Sequence, residues 1–377
     1  MAEKIVRKDW ISQFNLVGKP VITDFTFDLD KQSEKSNYVY SRMRLGIDCG
    51  EKHGTIWTEM MGGYSPDNPY PIRKPSKTED GSADFANMMT IAWEDRLDEE
   101  IVEQIADMSL IVVGIEKTSL GKVYKRKFAS EYDAIAYIQE YLTSDMVVNV
   151  RGNLQYSTYN DNVTVRKNVT SIVLSAKEDP ADFKANFTQS ILINKDSATL
   201  SSDNVDKDKG VMFVNARVLD YVKEYNGVEV KGQFPYNITF EQDMPLNDKE
   251  KAKKVFDLMY KVKKGVTQIT MEGEFVESGA AVQATLDDLP DEIRELVELN
   301  VYTEEEALSK CSTNGSTERR MVLKKPFIKL VGESKSPVVQ KFEERYSEDD
   351  LVLDCMGNVV ASEVVEDDDF GWLSDLE

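Results

Sequence analysis

The sequence predicts a mainly β protein, built from two consecutive barrel-like modules with a few helices. Three observations support this fold class. Segments rich in β-branched and aromatic residues alternate with turn residues along most of the chain, which is typical of strands. The same order of elements, three strands, a helix and two strands, occurs twice. The 377 residues also suffice for two domains and a smaller third region.

The first module is predicted within residues 1–176. A helix is expected at Glu131–Leu142, with Ser130 as its N-cap, and an insertion at about 64–128 precedes it. The strands expected around that helix are Val21–Asp28, Tyr38–Asp48, Gly54–Met61, Met146–Leu154 and Val169–Ser175. Inside the insertion, Leu110–Ile115 and Val123–Phe128 are also strand-like.

The second module is predicted within residues 183–288, with an amphipathic helix at Asp248–Val262 that is capped by Asn247 or Asp248. Its expected strands are Phe187–Ile193, Val211–Val222, Val228–Phe240, Val266–Phe275 and Ala280–Leu286. Residues 289–332 are interpreted as a small helical and basic segment, in which Arg319–Val331 is strand-like. Residues 333–377 are interpreted as a linker followed by a disordered acidic tail.

A shared heptad strengthens the duplication. Val148–Leu154 and Ile269–Phe275 both alternate apolar and polar residues, both carry glycine at the fifth position, and both begin shortly after the helix. A glycine inside a strand is typical of a bulge or of a sharp bend at a barrel corner. The order β-β-β-α-β-β is that of the OB-fold, a five-stranded Greek-key barrel. We therefore expect tandem OB-fold-like barrels.

The net charge of −22 is concentrated near the C-terminus. Eleven Asp and Glu residues follow Arg345, with no Lys or Arg among them, and they account for half of this charge. Since a polyanion responds to the local field, the mildly acidic remainder of the chain is compatible with a basic groove.

The expected second strand of the first module predicts a binding face. Tyr38, Tyr40, Arg42 and Arg44 occupy every other position, so they share one face of a strand. Aromatic rings stack on unstacked bases and guanidinium groups contact phosphates, which is the mixture that single-stranded nucleic acid requires. The corresponding strand of the second module places Phe213, Arg217 and Tyr221 on one face. The alternative is that both faces pack internally, against a helix or the other module.

Further residues are candidates to extend this groove. They are aromatic or basic and lie beside or in the insertion, in the expected fourth strand or near the loop that joins the last two strands, a common ligand-binding loop in OB-folds. They are Trp57, Tyr124, Lys125, Arg126, Lys127, Arg151, Tyr156, Tyr159, Arg166 and Lys167.

The C-terminal tail has its own pattern. Asp367, Asp368 and Asp369 are followed by apolar side chains at Phe370, Trp372 and Leu373. Apolar anchors among acidic residues indicate a peptide that docks on a basic, grooved partner. A purely solubilising role is the alternative.

Catalysis is not expected. The chain has no phosphate-binding glycine motif, no paired cysteines and a single histidine, His53, which is interpreted as part of a turn between strands. No cofactor and no metal are predicted, and no small-molecule substrate. A Mg²⁺-dependent nuclease remains a weaker alternative because carboxylates such as Glu94-Asp95 and Asp287-Asp288 are plentiful. Three distant cysteines and the absence of an apolar leader or span favour a cytoplasmic protein without membrane contact.

Taken together, the duplicated barrel order, the aromatic and basic strands and the tail Asp367-Asp368-Asp369-Phe370 resemble bacteriophage-type replication single-stranded DNA-binding proteins. The family typically ends in acidic residues and an aromatic tip, whereas Gly371–Glu377 continue past that point here. The resemblance implies coating of single strands without sequence preference during replication, recombination and repair. It also implies recruitment of replication and recombination proteins by the tail, in the host cytoplasm. The alternative function is a protein-interaction or phage structural factor.

Overall fold

The computed structural model describes residues 5–159, 162–225, 228–278, 318–332 and 334–348, together with Val297 and Leu351. The described chain is mainly β, as predicted. Its strands are β1 (Ser12–Val21), β2 (Phe27–Gln32), β3 (Val39–Asp48), β4 (Thr55–Tyr64), β5 (Ile72–Lys77), β6 (Ala83–Ile91), β7 (Ile111–Lys117), β8 (Val123–Phe128), β9 (Val148–Tyr159), β10 (Asn162–Leu174), β11 (Lys184–Ile193), β12 (Val205–Asp206), β13 (Val211–Tyr225), β14 (Val228–Asp243), β15 (Val266–Ser278), β16 (Glu318–Pro326), β17 (Ile328–Val331), β18 (Ser336–Val339) and β19 (Lys341–Tyr346). Its longer helices are α1 (Glu99–Gln104), α2 (Glu131–Tyr141) and α3 (Lys249–Met259).

Five strands of the first module close into a ring. In pairing order the ring runs β1, β3, β4, β10, β9 and back to β1. Only the contact between β4 and β10 is parallel. Leu16, Met43 and Val150 are fully buried inside it, and α2 packs against β3 and β4. The helix starts where predicted, because the Ser130 side chain accepts a hydrogen bond from the Tyr132 amide.

The second module closes in the same order. The ring runs β11, β13, β14, β16, β15 and back to β11, and again only the third contact, β14 with β16, is parallel. Phe187, Val214 and Phe240 are buried in its core, and α3, capped by Asp248, precedes β15. Both rings therefore have the strand order and helix position expected of an OB-fold.

The strand that completes the second ring differs from the sequence expectation. It is β16, which lies inside the segment 289–332 that the sequence analysis separated from this module. The expected strand Ala280–Leu286 falls outside the described residues. The neighbouring residues 334–337 do not form a simple linker either, because β17 and β18 pair as a hairpin and β19 adds to β15.

The glycines of the two heptads occupy matching places in the rings. A Cβ atom on Gly152 of β9 would lie 2.7 Å from the Phe14 ring, and one on Gly273 of β15 would lie 2.2 Å from the Phe187 ring. Both phenylalanines belong to the first strand of their ring. Each glycine thus admits a buried aromatic ring that any larger residue would displace.

A second pair of matching residues lies on the outer surfaces of the two rings. Glu59 of β4 and Glu241 of β14 each stand at the parallel contact. Each binds an arginine two residues before its partner on the last ring strand: Arg166 lies 3.7 Å from Glu59, and the Arg320 Nε donates to Glu241 over 2.8 Å. The two rings therefore share register as well as strand order.

Backbone pairing and buried polar contacts join the rings. Residues 12–17 of β1 pair antiparallel with residues 184–189 of β11, so the sheet is continuous. The polar contacts are the Lys167 Nζ–Glu277 Oε1 ion pair at 3.0 Å, the Tyr156 amide donating to Asp220 over 2.7 Å, and the His53 Nδ1–Phe275 carbonyl contact at 2.9 Å. His53 does lie in the turn between β3 and β4, as predicted, but that turn is buried against the second ring.

The expected first strand, Val21–Asp28, is wrong. The first strand is β1, and Thr23 and Thr26 close a turn instead, in which the Thr23 amide donates to the Thr26 hydroxyl over 2.8 Å. Gly18 and Pro20 make β1 difficult to recognise from the sequence. Gly18 is required there, because a Cβ atom would lie 2.0 Å from the Asp48 carbonyl oxygen.

The insertion is more ordered than its polar sequence indicates. It contains the β5–β6 hairpin, α1 and the β7–β8 hairpin, and β7 continues the sheet beside β10. A small separate core of Ile72, Ile91, Ile105 and Leu110 holds it together.

Candidate nucleic-acid interface

The strand β3 presents the face that its alternation predicts. Met43 and Leu45 are fully buried, whereas Tyr40, Arg42 and Arg44 point away from the ring interior and Arg44 is exposed. The ring closure explains this division, because inward positions of a small barrel are filled by the core. The outer face of β3 and its neighbour β4 is therefore partly exposed, and we call it the β3–β4 face.

Trp57 extends this face across to β4. It pairs with Gly46 of β3, its ring lies beside the place where a Gly46 side chain would stand, and it is 43% exposed. Arg44 lies two positions along β3, opposite Glu59, so Arg44 and Trp57 are diagonal neighbours on the same side of the sheet. Glu59 is held by Arg166, and Arg44 forms no ion pair with the described residues. Its guanidinium is thus available beside an exposed indole.

Tyr38 and Tyr40 form the other end of the face. Their rings are stacked, with centroids 6.4 Å apart and planes 16° from parallel. Burial, and next the nearby Glu131 carboxylate, raise the pKa of Tyr38 above its ordinary value, so its phenol stays neutral at physiological pH. The pair offers aromatic surface without charge.

Arg42 has a different role from the one predicted. It binds Asp28 of β2 through Nη2 at 2.5 Å and Nε at 3.1 Å, and its side chain is mostly buried. This ion pair links β2 to β3 and neutralises the positive charge of the guanidinium group. Arg42 therefore supports the face and does not present a free charge to it.

Phe25 is a further candidate binding residue that the sequence patterns did not indicate. It lies in the turn before β2, next to β3, and is 85% exposed. This turn belongs to the connection between the first two ring strands, a ligand-binding loop in OB-folds. The sequence feature that could have indicated this site is the single phenylalanine between Asp24 and Thr26. It was not recognised because a strand was expected there.

The second ring has a polar groove on its corresponding side. It has a volume of ≈ 450 Å³. Arg217 of β13 lies in it, half-buried and without an ion pair among the described residues. The groove is otherwise lined by one carboxylate residue, Asp196, by Ala216 and Ile238, and by amide and hydroxyl side chains: Asn194, Ser197, Asn215, Asn237 and Thr239. Phe213 is half-buried and Tyr221 is 51% exposed on the same strand.

The registers show that the two predicted faces are not equivalent in position. Arg44 pairs with Glu59 in the first ring, and Phe213 pairs with Glu241 at the equivalent place in the second. Four residues further along each strand, Asp48 corresponds to Arg217. The predicted residues of β3 thus lie between its start and Arg44, whereas those of β13 begin at Phe213, the counterpart of Arg44, and continue past it to Tyr221.

Two predicted site residues are buried at the junction and do not reach any groove. Tyr156 is 2% exposed, and its hydroxyl donates to Gln189 over 2.9 Å. Lys167 is 9% exposed and paired with Glu277. Both side chains point inward because their strands are longer than expected, which places them in phase with core positions.

The remaining predicted residues are scattered. Arg151 is exposed on β9 and bonded to Asn149, and Tyr159 ends that strand. Tyr124 and Lys125 are exposed on β8, and Lys127 there binds Asp107 at 2.7 Å. On the same strand, the Arg126 guanidinium covers the rings of Phe128 and Tyr137 at 5.4 and 5.3 Å. The tail residues Asp367, Asp368, Asp369, Phe370, Trp372 and Leu373 lie outside the described residues.

The described part of the chain shows neither a metal centre nor a membrane-spanning helix. No cluster of three or more His, Cys, Asp or Glu side chains is arranged to hold a metal ion there. None of the helices in these ranges has the length and apolarity needed to cross a bilayer. No protein-family model matches the sequence, and no curated protein matches it significantly.

Proposed function

We propose that this protein binds single-stranded DNA without sequence preference, on the β3–β4 face of its first ring. The observation that supports this most is the exposed indole of Trp57 beside Arg44, whose guanidinium forms no ion pair in the described part of the chain. Trp57 and the Tyr38–Tyr40 pair would stack on bases, and Arg44 would contact phosphate or stack on a base. The groove around Arg217 would take a further stretch of the same strand.

The cellular role follows from this binding mode. A chain that covers single strands would act in replication, recombination and repair of DNA, in the cytoplasm of the host if it is phage-encoded. The acidic tail would recruit replication and recombination proteins. No cofactor is needed for either task.

Binding of an oligo-dT strand, followed by fluorescence anisotropy, tests the proposal. Because base stacking contributes about 1–3 kcal/mol, Trp57→Ala should weaken binding by about 5- to 150-fold. Phe85→Ala is the matched control, since Phe85 is an exposed aromatic residue on β6 of the insertion. It should leave the affinity unchanged.

Two results would refute the proposal. One is the absence of oligo-dT binding at low salt by the chain lacking residues 363–377, whose acidic charge competes with DNA. The other is equal affinity for single strands and for a duplex of the same length. Cleavage of the strand in Mg²⁺ would favour a nuclease instead.

One observation favours the second candidate function, a protein-interaction or phage structural factor. The β17–β18 hairpin exposes a set of apolar side chains: Ile328, Leu330, Val331, Val338 and Val339. Exposed apolar patches of this kind are typical of protein-binding surfaces. This function is preferred if the oligo-dT experiment gives no binding.

A further inference from the structure

A second groove, distinct from both candidate DNA-binding surfaces, runs along α3. Its volume is ≈ 580 Å³, and it lies between α3 and the segment that leads into β12. The side chains that form its apolar lining are Leu200, Val205, Leu246, Ala252 and Phe256. Ala252 and Phe256 are four residues apart on α3, so they fall on one face of the helix.

Lysines surround this apolar lining. Lys261 binds Asp257, the only carboxylate residue among the described residues that line the groove, at 3.1 Å. The other lining lysines form no ion pair with the described residues, and they are Lys207, Lys249 and Lys253. The groove therefore carries an excess of about three positive charges around a surface that takes apolar side chains, which suits an acidic peptide with apolar anchors.

The chain itself contains such a peptide at its C-terminus. Residues 366–369 are Glu-Asp-Asp-Asp, and Phe370, Trp372, Leu373 and Leu376 follow. We propose that residues 366–377 dock in the groove along α3, with the apolar side chains on its lining and the carboxylates against its lysines. The proposal concerns the chain's own tail and does not depend on DNA binding.

The tail has sufficient length to reach the groove. Leu351 packs in one cluster with Val266, and Val266 is five residues from Lys261 in the groove. Five residues span at most about 18 Å, whereas the 15 residues from Leu351 to Glu366 extend to about 50 Å. The Lys341 Nζ of β19 also bonds the Leu258 carbonyl at 2.9 Å, so the C-terminal part of the described chain lies beside the end of α3.

Tethering makes even weak docking effective. A linked peptide has an effective concentration on the order of millimolar, so a dissociation constant of ~0.1 mM would fill the groove about nine-tenths of the time. Residues 246–261 should then exchange their amide hydrogens up to about tenfold more slowly than in a chain with an empty groove.

Hydrogen exchange on the full-length chain, read by mass spectrometry and without nucleic acid, tests this. Phe370→Ala with Trp372→Ala and Leu373→Ala should speed exchange at residues 246–261, because the anchors are lost while every described residue is unchanged. In a chain carrying Lys249→Glu and Lys253→Glu the same tail substitutions should have no effect.

The matched control reverses two other lysines of the same helix. Lys251→Glu with Lys254→Glu makes the same charge change on residues that do not line the groove, and the tail substitutions should still speed exchange there. Unchanged exchange at residues 246–261 when the anchors are removed would overturn the proposal. So would a tail-dependent change confined to the β3–β4 face, which would place the tail on the proposed DNA surface. Neither result depends on whether the protein binds DNA.

Discussion

The ion pair between Lys167 and Glu277 connects the two rings, and breaking it measures the strength of their junction. The two side chains are 9% and 5% exposed, with Nζ and Oε1 3.0 Å apart. The Lys167 ammonium also lies 5.0 Å from the centre of the Phe275 ring. Lys167→Met removes the positive charge with little change in volume, and it leaves Glu277 with Arg319 at 3.7 Å as its remaining cation.

The expected cost follows from this burial. Removing one partner of a buried pair destabilises a protein by 3–5 kcal/mol, because the other charge is left uncompensated. Arg319 is 69% exposed and still offsets part of the Glu277 charge, so we expect about 3 kcal/mol for Lys167→Met. Lys167→Met with Glu277→Leu replaces the pair by apolar groups, and it should stay within about 1 kcal/mol of the wild type.

Urea unfolding of the wild type, the two single variants and the double variant measures these free energies. The prediction requires the effects of the two substitutions on the free energy of unfolding to be strongly coupled, because the double variant must be more stable than either single variant. The reasoning is refuted if Lys167→Met costs less than about 1 kcal/mol, or if the two single costs simply add. Either result would mean that water reaches the pair and that it does not hold the junction.

Three further predictions concern single positions. Burial is the main cause that lowers the pKa of His53, so the unfolded chain binds a proton more readily. Stability should therefore fall as the pH drops below about 6.5, and His53→Gln should remove this part of the pH dependence of the urea midpoint. Gly152→Ala should destabilise by about 3 kcal/mol, because a Cβ atom would lie 1.9 Å from a carbonyl oxygen of β10. Gly232→Ala, whose nearest contact would be 3.5 Å, should stay within about 1 kcal/mol in the same urea assay. If DNA binds as proposed, Arg217→Ala should reduce the slope of log affinity against log salt by about 0.7, whereas Arg73→Ala, an exposed arginine of β5, should not.

Short sequence patterns predicted the parts of this fold that depend on interactions between residues close in sequence. The alternation of β3 separated Met43 from Arg44 correctly, and the caps Ser130 and Asp248 start α2 and α3. The glycines at the fifth position of the heptads predicted a bulge or a sharp bend, and the strand pairing is irregular beside each of them, next to Gly152 and at Gly273. These features depend on neighbouring residues, which a sequence displays directly.

Features set by distant parts of the chain were not predictable in this way. Strand ends are one example, since β9 and β10 extend well beyond the expected bounds. The longer β9 puts Tyr156 in phase with the buried Val150, and the longer β10 does the same for Lys167 and Val169. The closing strand β16 is another example, because its place is fixed by its pairing with β14 and β15.

The matched registers allow the two outer faces to be compared position by position. Where the first ring has Arg44, Gly46 and Asp48, the second has Phe213, Asn215 and Arg217. Gly46 leaves space that the Trp57 indole covers, whereas the corresponding side of the second ring is an amide-lined groove. Under the proposed function the first ring would therefore hold a strand chiefly by stacking and the second chiefly by polar and phosphate contacts. It follows that Trp57→Ala should lower the affinity for single-stranded DNA with little change in the salt dependence of that affinity. Arg217→Ala should mainly change the salt dependence and leave base stacking largely intact.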